Sequence, residues 1–342
     1  MRQLFYTTVN ILLTVIFFSA CSDHEDSCTP ERVSVHVLFT PDGFCEVGYN
    51  DITLKAIETY AQQYGYEYSF CVPETMEDGM DYYQNWYESK LNDGTRSLFI
   101  FASNLYNEPL ANVPHPTDSR KDILIFEVEE ELPYAYTFDI TYYGASYMIG
   151  SFYLYLYDTP INFLIIAANP YLVGLQDVID GFTDATVDCT HGNVHINYLD
   201  ESPDGGLDDD DGAYAVCRVA EYLIPDEMHI FIPYAGASNL GVYRFSQINH
   251  SITVGVDCVD PESFFLTYLC MNKKMDLALN DFLQSWIKGE EIPQHRLYTL
   301  ESGRVVVEWQ SYLTEEHNIF DTLLKQAIIK EKEYLENSTD YN

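Results

Sequence analysis

Short apolar runs typical of β-strands alternate with helix-like segments along most of the 342-residue chain. Val33 to Phe39 (VSVHVLF) is rich in β-branched residues, and Asp51 to Tyr64 then carries apolar residues at helical spacing until Gly65. Strands of five to seven residues, separated by helices of ten or more, predict parallel sheets joined by right-handed crossovers. We therefore expect an α/β fold.

The alternation occurs in two successive series, which predicts two doubly wound lobes. A chain of 342 residues also exceeds the size of one typical hydrophobic core. We expect the first lobe to comprise residues 32–140 together with residues from about 260 to 342, and the second to comprise residues 141–259. The predicted strands are Val33–Phe39, Glu67–Val72, Ser97–Ala102 and Asp122–Val128 in the first series, and Asn162–Ala168, Val194–Leu199, Met228–Pro233 and Ile252–Val256 in the second.

The first 20 residues are organised like an export signal. Arg2 precedes an apolar run from Ile11 to Phe18 (ILLTVIFF), which is too short to span a bilayer. Phe18-Ser19-Ala20-Cys21 resembles a bacterial lipobox, so we expect lipid on Cys21 and a polar tether over residues 21–31. An ordinary cleaved signal with an incidental cysteine is the alternative. The acidic run after Cys21 is also similar to the surface-export tag of Bacteroidota lipoproteins, so the anchor would lie in the cell envelope, on the periplasmic face or the outer surface.

Acidic residues dominate the charge of the chain: 54 Asp and Glu stand against 17 Lys and Arg, a formal net charge of −37. This charge argues against nucleic acid and anionic lipid as partners. Apolar residues nevertheless make up 47% of the chain, including 29 Tyr and 19 Phe, which is typical of a large globular body. The sequence contains no H-E-x-x-H, G-x-S-x-G or C-x-x-C motif, and we expect neither catalysis nor a metal or other cofactor.

In open α/β sheets, ligands bind beyond the carboxyl ends of the strands, so the segments that follow predicted strands are the candidates for a site. Gly43 to Asp51 (GFCEVGYND) follows the first strand. There Tyr49 offers a ring for stacking, while Asn50 and Asp51 offer an amide and a carboxylate at a helix start. The alternative is that Asn50 or Asp51 only caps the helix.

Three later segments offer further candidates. Pro233 to Val242 (PYAGASNLGV) is a small-residue loop in which Gly236 would let a ligand approach the backbone, unless the loop is only a tight turn. Asp257 ends a predicted strand and could accept two hydrogen bonds from a vicinal diol, or could merely cap a helix. Lys273 and Lys274 form a basic pair in a very acidic chain, although a surface pair that neutralises nearby carboxylates would have the same sequence.

Taken in order, these segments resemble the basic membrane protein family, the substrate-binding lipoproteins of ABC transporters that include the bacterial purine-nucleoside receptors. The resemblance runs from about Val33 to Gln310. The matched segments are Gly48 to Asp51 with the family's G-F-N-Q/D, Tyr142 to Phe152 with its E-A-A-Y-L-A-G helix, Pro233 to Val242 with P-A-A-G-G-T-G-L-G-V, Ile252 to Asp257 with I-G-V-D, and Cys270 to Asp276 with S-M-V-K-R-V-D.

The resemblance implies a type I periplasmic-binding fold, in which the chain crosses the hinge three times and two lobes close over a nucleoside. It places Tyr49 where a family Phe stacks on the base, and Asn50 and Asp51 where polar contacts to the base or the hinge side are made. Gly236, Asp257 and Lys273 take the positions that hold the ribose. Lys273 is the matching lysine, rather than Lys274, because it lies three residues before Asp276.

Two departures from the family bear on the ligand. Ala237 and Asn239 replace glycines of the G-G-T-G loop, so we expect a ligand to approach the backbone differently there. After Leu199 the chain has Asp200 to Pro203 where the family has a Phe for the second stacking ring. The nucleobase sandwich is therefore open to question, while the diol-binding half is retained.

Two binding hypotheses follow. The first is a lipid-anchored protein that captures a nucleoside for an ABC permease. The second is a lipoprotein that captures a sugar or other polyol, for uptake or sensing without such a permease. A surface hydrolase is a third hypothesis, which no motif supports.

Overall fold

The computed structural model describes residues 32–41, 43–44, 49–189, 191–203, 205–223, 228–257, 267–309 and 317–338. The predicted signal peptide, the lipid site at Cys21 and the tether lie outside these residues. Within the described ranges, no helix has both the length and the apolar character needed to cross a bilayer.

The described strands form two six-stranded sheets. The strands are β1 Arg32–Leu38, β2 Glu67–Cys71, β3 Thr95–Phe101, β4 Lys121–Phe126, β5 Tyr136–Ile140, β6 Ile161–Ala167, β7 Gly192–Tyr198, β8 Met228–Tyr234, β9 Ile252–Val256, β10 Thr267–Lys273, β11 His295–Tyr298 and β12 Val305–Trp309. The first sheet has the order β11-β5-β4-β3-β1-β2, and the second has the order β12-β10-β9-β8-β6-β7. Neighbouring strands run parallel, except that β12 runs antiparallel to β10.

Helices follow most of these strands, which confirms the predicted two-lobed α/β fold. They are α1 Tyr49–Tyr64, α2 Met76–Glu88, α3 Asn107–Ala111, α4 Tyr143–Leu156, α5 Leu175–Cys189, α6 Asp210–Leu223, α7 Asn239–Asn249, α8 Met275–Lys288 and α9 His317–Asn337. Central parallel strands are covered on both faces, so their sequences are continuously apolar rather than alternating. All seven residues of β6 (INFLIIA) are buried.

The chain passes between the two sheets three times, after β5, after β10 and after β11. The crossing segments lie side by side. The Thr141 N–H donates to the Tyr298 carbonyl at 3.1 Å, and the Lys274 N–H donates to the Arg304 carbonyl at 2.7 Å. These bonds join the segments about which the lobes would rotate.

Helix α9 holds two of the crossings together through a buried carboxylate. Glu331 accepts the N–H of Gly144 at 3.2 Å and the N–H of Leu300 at 2.9 Å. Burial raises the pKa of the Glu331 carboxyl to about 7, although the two backbone donors oppose that rise. The first and third crossings are thus tied to one residue of α9.

The predicted assignment of residues from about 260 to 342 to the first lobe differs from the sheet order for part of the described range. Strands β10 and β12 belong to the second sheet, while β11 joins the first. Helix α9 packs on α4, which also contacts β12. The physical reason is that β10 adds to the parallel order beside β9, and β12 then pairs with the edge that β10 leaves open.

Helix α4 leaves the first crossing and packs closely on α5. The approach depends on glycine, because a Cβ at Gly181 would lie 2.5 Å from the Tyr143 carbonyl oxygen and 2.7 Å from Ser146 Cβ. A Cβ at Gly150 would lie 2.8 Å from Ala185 Cβ. This packing fixes where α4 begins, and therefore where the crossing segment before it lies.

Replacing Gly181 by Ala should destabilise the protein by about 2 kcal/mol, because the added methyl group would separate α4 from α5. The sign of this stability change distinguishes close packing from helix propensity, because Gly→Ala within a helix normally stabilises a protein by up to about 1 kcal/mol. Urea unfolding measures the change, with Gln176→Ala at an exposed position of α5 as the control. A Gly181→Ala protein as stable as the parent would contradict this packing.

Candidate ligand-binding site

Lys273 connects the two sheets at their carboxyl ends. It is the last residue of β10 in the second sheet, and its side chain is only 5% exposed. Its ammonium forms an ion pair with Glu127, which directly follows β4 of the first sheet. The ammonium also lies 4.7 Å from the centre of the Tyr142 ring, a cation–π contact. A buried charge needs such partners to offset its loss of hydration.

Glu127 reaches this position through an unusual backbone conformation. The sequence predicts a strand from Asp122 to Val128, but β4 ends at Phe126. Glu127 has φ of 55°, in the left-handed region that residues with side chains seldom adopt. Strain of this kind costs about 1–2 kcal/mol and is common at functional sites.

Asp257 lies on the other side of Lys273. It directly follows β9, has φ of 48°, and remains accessible to solvent. Its Oδ1 accepts the Lys273 N–H at 2.8 Å, and its own N–H donates to the Met271 carbonyl at 3.0 Å. Dense surrounding protein raises the pKa of the Asp257 carboxyl, while the Lys273 charge and the Tyr142 hydroxyl lower it. The site thus has an accessible carboxylate beside a buried ammonium.

Asp139 is a second carboxylate near Lys273, supplied by β5 of the first sheet. The residue is 1% exposed, and no described side chain donates a hydrogen bond to either carboxylate oxygen. Burial raises the pKa of Asp139 to about 7, although the Lys273 charge opposes the rise. Glu127 raises that pKa further. We refer to Lys273, Glu127, Asp139 and Asp257 as the Lys273 cluster.

Two tyrosines surround the Lys273 cluster. Tyr142 and Tyr234 pack edge to face, with ring centres 5.9 Å apart and an interplanar angle of 84°. The Tyr234 hydroxyl donates to the Val173 carbonyl at 2.8 Å, which fixes the ring. Burial raises the pKa of both hydroxyls, so both stay protonated at neutral pH. The tyrosines therefore provide neutral, rigid walls.

Asn50, predicted as a site residue in the first loop, makes its described side-chain hydrogen bonds within that loop. Asn50 is 7% exposed, and its Nδ2 donates to Thr40 Oγ1 at 3.1 Å and to the Gly43 carbonyl at 2.7 Å. Its amide nitrogen therefore stabilises the loop between β1 and α1, and the ligand contact expected of Asn50 stays a prediction. Asp51 lies in the first turn of α1. Tyr49 begins that helix, and its side chain lies outside the described part.

Gly236 has φ of 60° and begins a short 3-10 turn. A Cβ there would lie 3.2 Å from the Leu207 side chain, so Gly236 abuts the acidic loop before α6. Ser238 joins that loop, because its Oγ donates to the Gly206 carbonyl at 2.7 Å. Asn239, which replaces a family glycine, accepts the Ala235 N–H at 2.8 Å. These contacts pack the small-residue loop against protein.

Sequence reasoning missed Glu127, Asp139, Tyr142 and Tyr234 as site residues. The rule about carboxyl ends would have selected Glu127 if the predicted strand had ended at Phe126. Tyr234 is the residue directly after Pro233, the last residue of a predicted strand. Asp139 offers no local signal beyond a single acidic residue in an apolar segment.

Replacing Lys273 by Met should lower the free energy of unfolding by about 3 kcal/mol, because the buried carboxylates would lose their cation. Lys274→Met is a matched control. Lys274 pairs at 2.6 Å with Glu308, whose side chain is 40% exposed and which belongs to the same sheet. Loss of that exposed pair should cost less than about 1 kcal/mol. Equal losses in urea unfolding would contradict the assigned role of Lys273.

Asp139→Asn should change how stability depends on pH. The folded-state pKa lies above the unfolded one, so the folded protein binds this proton more tightly and loses stability as pH rises from about 4 to about 7. The charges that act on Asp139 are Lys273, Glu127 and Asp177. When the pH is raised from 5 to 8, the free energy of unfolding of the variant relative to the parent should therefore increase by on the order of 2 kcal/mol. Unfolding at both pH values, with exposed Asp158→Asn as control, measures the gain. Parallel pH curves for parent and Asp139→Asn would refute it.

No protein-family model and no curated protein matches the chain. Several solved structures are similar to the chain. An ABC transporter solute-binding protein from Aeropyrum pernix K1 has 14% identity and a TM-score of 0.63, over 88% of this chain and 86% of that one. A transcriptional activator of the comK gene from Bacillus halodurans has 13% identity and a TM-score of 0.64, over 87% and 97%. An ABC transporter solute-binding protein from Agrobacterium vitis, bound with α-D-tagatopyranose, has 12% identity and a TM-score of 0.59, over 82% and 96%.

Sequence identities this low are evidence for a shared fold alone. The two mostly parallel sheets, with helices that alternate with their strands, match the two-lobed fold of these structures. The chain has the type I periplasmic-binding-protein fold.

Proposed function

We propose that this protein is a solute-binding protein, which captures a small ligand bearing a vicinal diol between its two lobes. The observation that carries the proposal is the Lys273 cluster, in which polar groups from the carboxyl ends of both sheets meet beside a three-segment hinge. Ligands of open α/β sheets bind at this edge. Contacts from both lobes to one ligand would stabilise the closed state relative to an open one.

The ligand class follows from Asp257. Its carboxylate is accessible, and the adjacent Lys273 N–H already holds one of its oxygens in place. A carboxylate fixed in this way can accept two hydrogen bonds from neighbouring hydroxyls, and charged acceptors make such bonds strong. Ribose and many sugars present this pair of hydroxyls, so the site suits both.

A nucleoside is the first candidate because of the ordered resemblance to the nucleoside-receptor lipoproteins. Phe44, at the carboxyl end of β1, is 40% exposed and packs edge to face on Phe39 with ring centres 5.2 Å apart. It would offer one face for a base to stack on. Delivery to an ABC permease is part of this hypothesis.

A sugar is the second candidate, and one observation favours it. Leu199 to Pro203, which follow β7, contain no aromatic residue for a second stacking contact. Asp200 there accepts the Ser202 N–H at 2.7 Å and the Ser202 hydroxyl at 2.6 Å. The similar Agrobacterium vitis structure contains a sugar. In this version the protein would serve uptake or sensing with no ABC permease. In both versions it binds its ligand and catalyses no reaction.

We also infer that the mature chain is attached to a membrane of the cell envelope by lipid on Cys21, in keeping with the lipobox-like segment. Metabolic labelling with palmitate should mark the parent protein and leave Cys21→Ser unmarked. Equal labelling of both proteins would rule out this cysteine as the anchor.

Thermal denaturation with a panel of nucleosides and sugars tests the proposed function. Inosine or guanosine should raise the melting temperature if the ligand is a nucleoside, and sugars alone should do so if it is not. Asp257→Asn should abolish the shift, with a loss of affinity of at least about tenfold, because the amide is uncharged and has only one acceptor oxygen for the two hydroxyls.

Asp158→Asn is the control for the ligand panel. Asp158 is exposed and precedes β6, so it lies at the edge of the second sheet opposite the proposed site. Its replacement should leave the shift unchanged. The absence of any shift across the panel, or turnover of a panel member, would overturn the proposal.

A further inference from the structure

The Lys273 cluster holds more negative than positive charge. The ammonium of Lys273 interacts with the carboxylates of Glu127, Asp139 and Asp257. The carboxylates come from both lobes, Glu127 and Asp139 from the first sheet and Asp257 from the end of β9 in the second. One cation therefore stands against three acidic groups among the described residues of the cluster.

The Lys273 charge is already engaged within the protein. Its ammonium pairs with Glu127 and lies over the Tyr142 ring, and its backbone N–H is bound to Asp257 Oδ1 at 2.8 Å. An anionic ligand would have to displace Glu127 from the ammonium and leave that carboxylate unpaired in a poorly hydrated place. The cluster is therefore unsuited to phosphates and carboxylates.

Asp139 has unused capacity to accept hydrogen bonds. It is 1% exposed, and no described side chain donates to either of its oxygens. Buried carboxylate oxygens usually have such donors, and an exception calls for a physical reason. Phe126 of β4 pairs with Phe138 of β5, so Asp139 follows the partner of the residue before Glu127 and lies beside the carboxylate that binds Lys273. The Lys273 charge also acts on Asp139.

We propose that the ligand carries an amino group beside its hydroxyls, and that Asp139 and Asp257 select the ammonium. This inference rests on the proposed function. An ammonium is a compact donor of three hydrogen bonds, which could be shared between a carboxylate of each lobe. It would supply the positive charge that the cluster lacks, and it would link the two lobes. The substrate class is thus an amino sugar or an aminonucleoside.

Isothermal titration with matched ligands tests this inference on the unaltered protein. One set is galactose, galactosamine and galacturonate, and another is adenosine, 5′-amino-5′-deoxyadenosine and adenosine 5′-monophosphate. In at least one set, the amino ligand should bind at least about tenfold more tightly than its neutral parent, and the acidic member should not bind.

Asp139→Asn should reduce the preference for the amino ligand over its neutral parent, taken as the ratio of the two affinities on the same variant, to less than about threefold. Asp158→Asn should retain the full preference. Neutral parents that bind as tightly as their amino counterparts would overturn the inference and leave the proposed function intact. The absence of binding by any neutral, amino or acidic ligand would instead count against the proposed function itself. The comparison among ligands on the parent protein does not depend on the folding of any variant.

Discussion

The arrangement of the two lobes depends on the ion pair between Lys273 and Glu127. Lys273 ends β10 of the second sheet, and its side chain is 5% exposed. Glu127 follows β4 of the first sheet, and its side chain is 18% exposed. Burying two charges costs several kcal/mol per ion unless further polar contacts offset the lost hydration. The Tyr142 ring and the charges of Asp139 and Asp257 provide such contacts for the Lys273 ammonium. A ligand that enters between the lobes must therefore compete with these interactions or add to them.

The ion pair joins two lobes that would rotate about the hinge. Three crossings lie side by side, and Glu331 of α9 holds the first and third through backbone donors. Asp177 reinforces the same region, since it accepts the Thr141 hydroxyl at 2.6 Å and the Tyr334 hydroxyl at 3.1 Å. Rotation about such a hinge changes few contacts within each lobe, so the energy difference between open and closed states falls mainly on the Lys273 cluster.

The fold could be predicted from sequence because its signals are local. Buried parallel strands such as β6 are short apolar runs, and helices such as α1 carry apolar residues at helical spacing. The sheet to which β10 and β12 belong could not be predicted, because membership depends on pairing between distant segments. Periodicity carries no information about that pairing.

The site was predictable to the extent that its residues follow strands. Asp257 was singled out in this way, whereas Lys273 was selected by the family resemblance, and the structure brings the two residues together. Asn50 had the same signal, but its amide is used within its own loop. Asp139 had no signal, because its importance arises only from the burial and the charges around it.

The central claim is that charges of the Lys273 cluster hold the lobes together and respond to ligand. Small-angle X-ray scattering of the parent protein, Lys273→Met and the control Lys274→Met tests it most directly. We expect a larger radius of gyration for Lys273→Met than for the other two proteins, because only that variant loses the ion pair between the lobes. Superimposable scattering curves from all three folded proteins would contradict it.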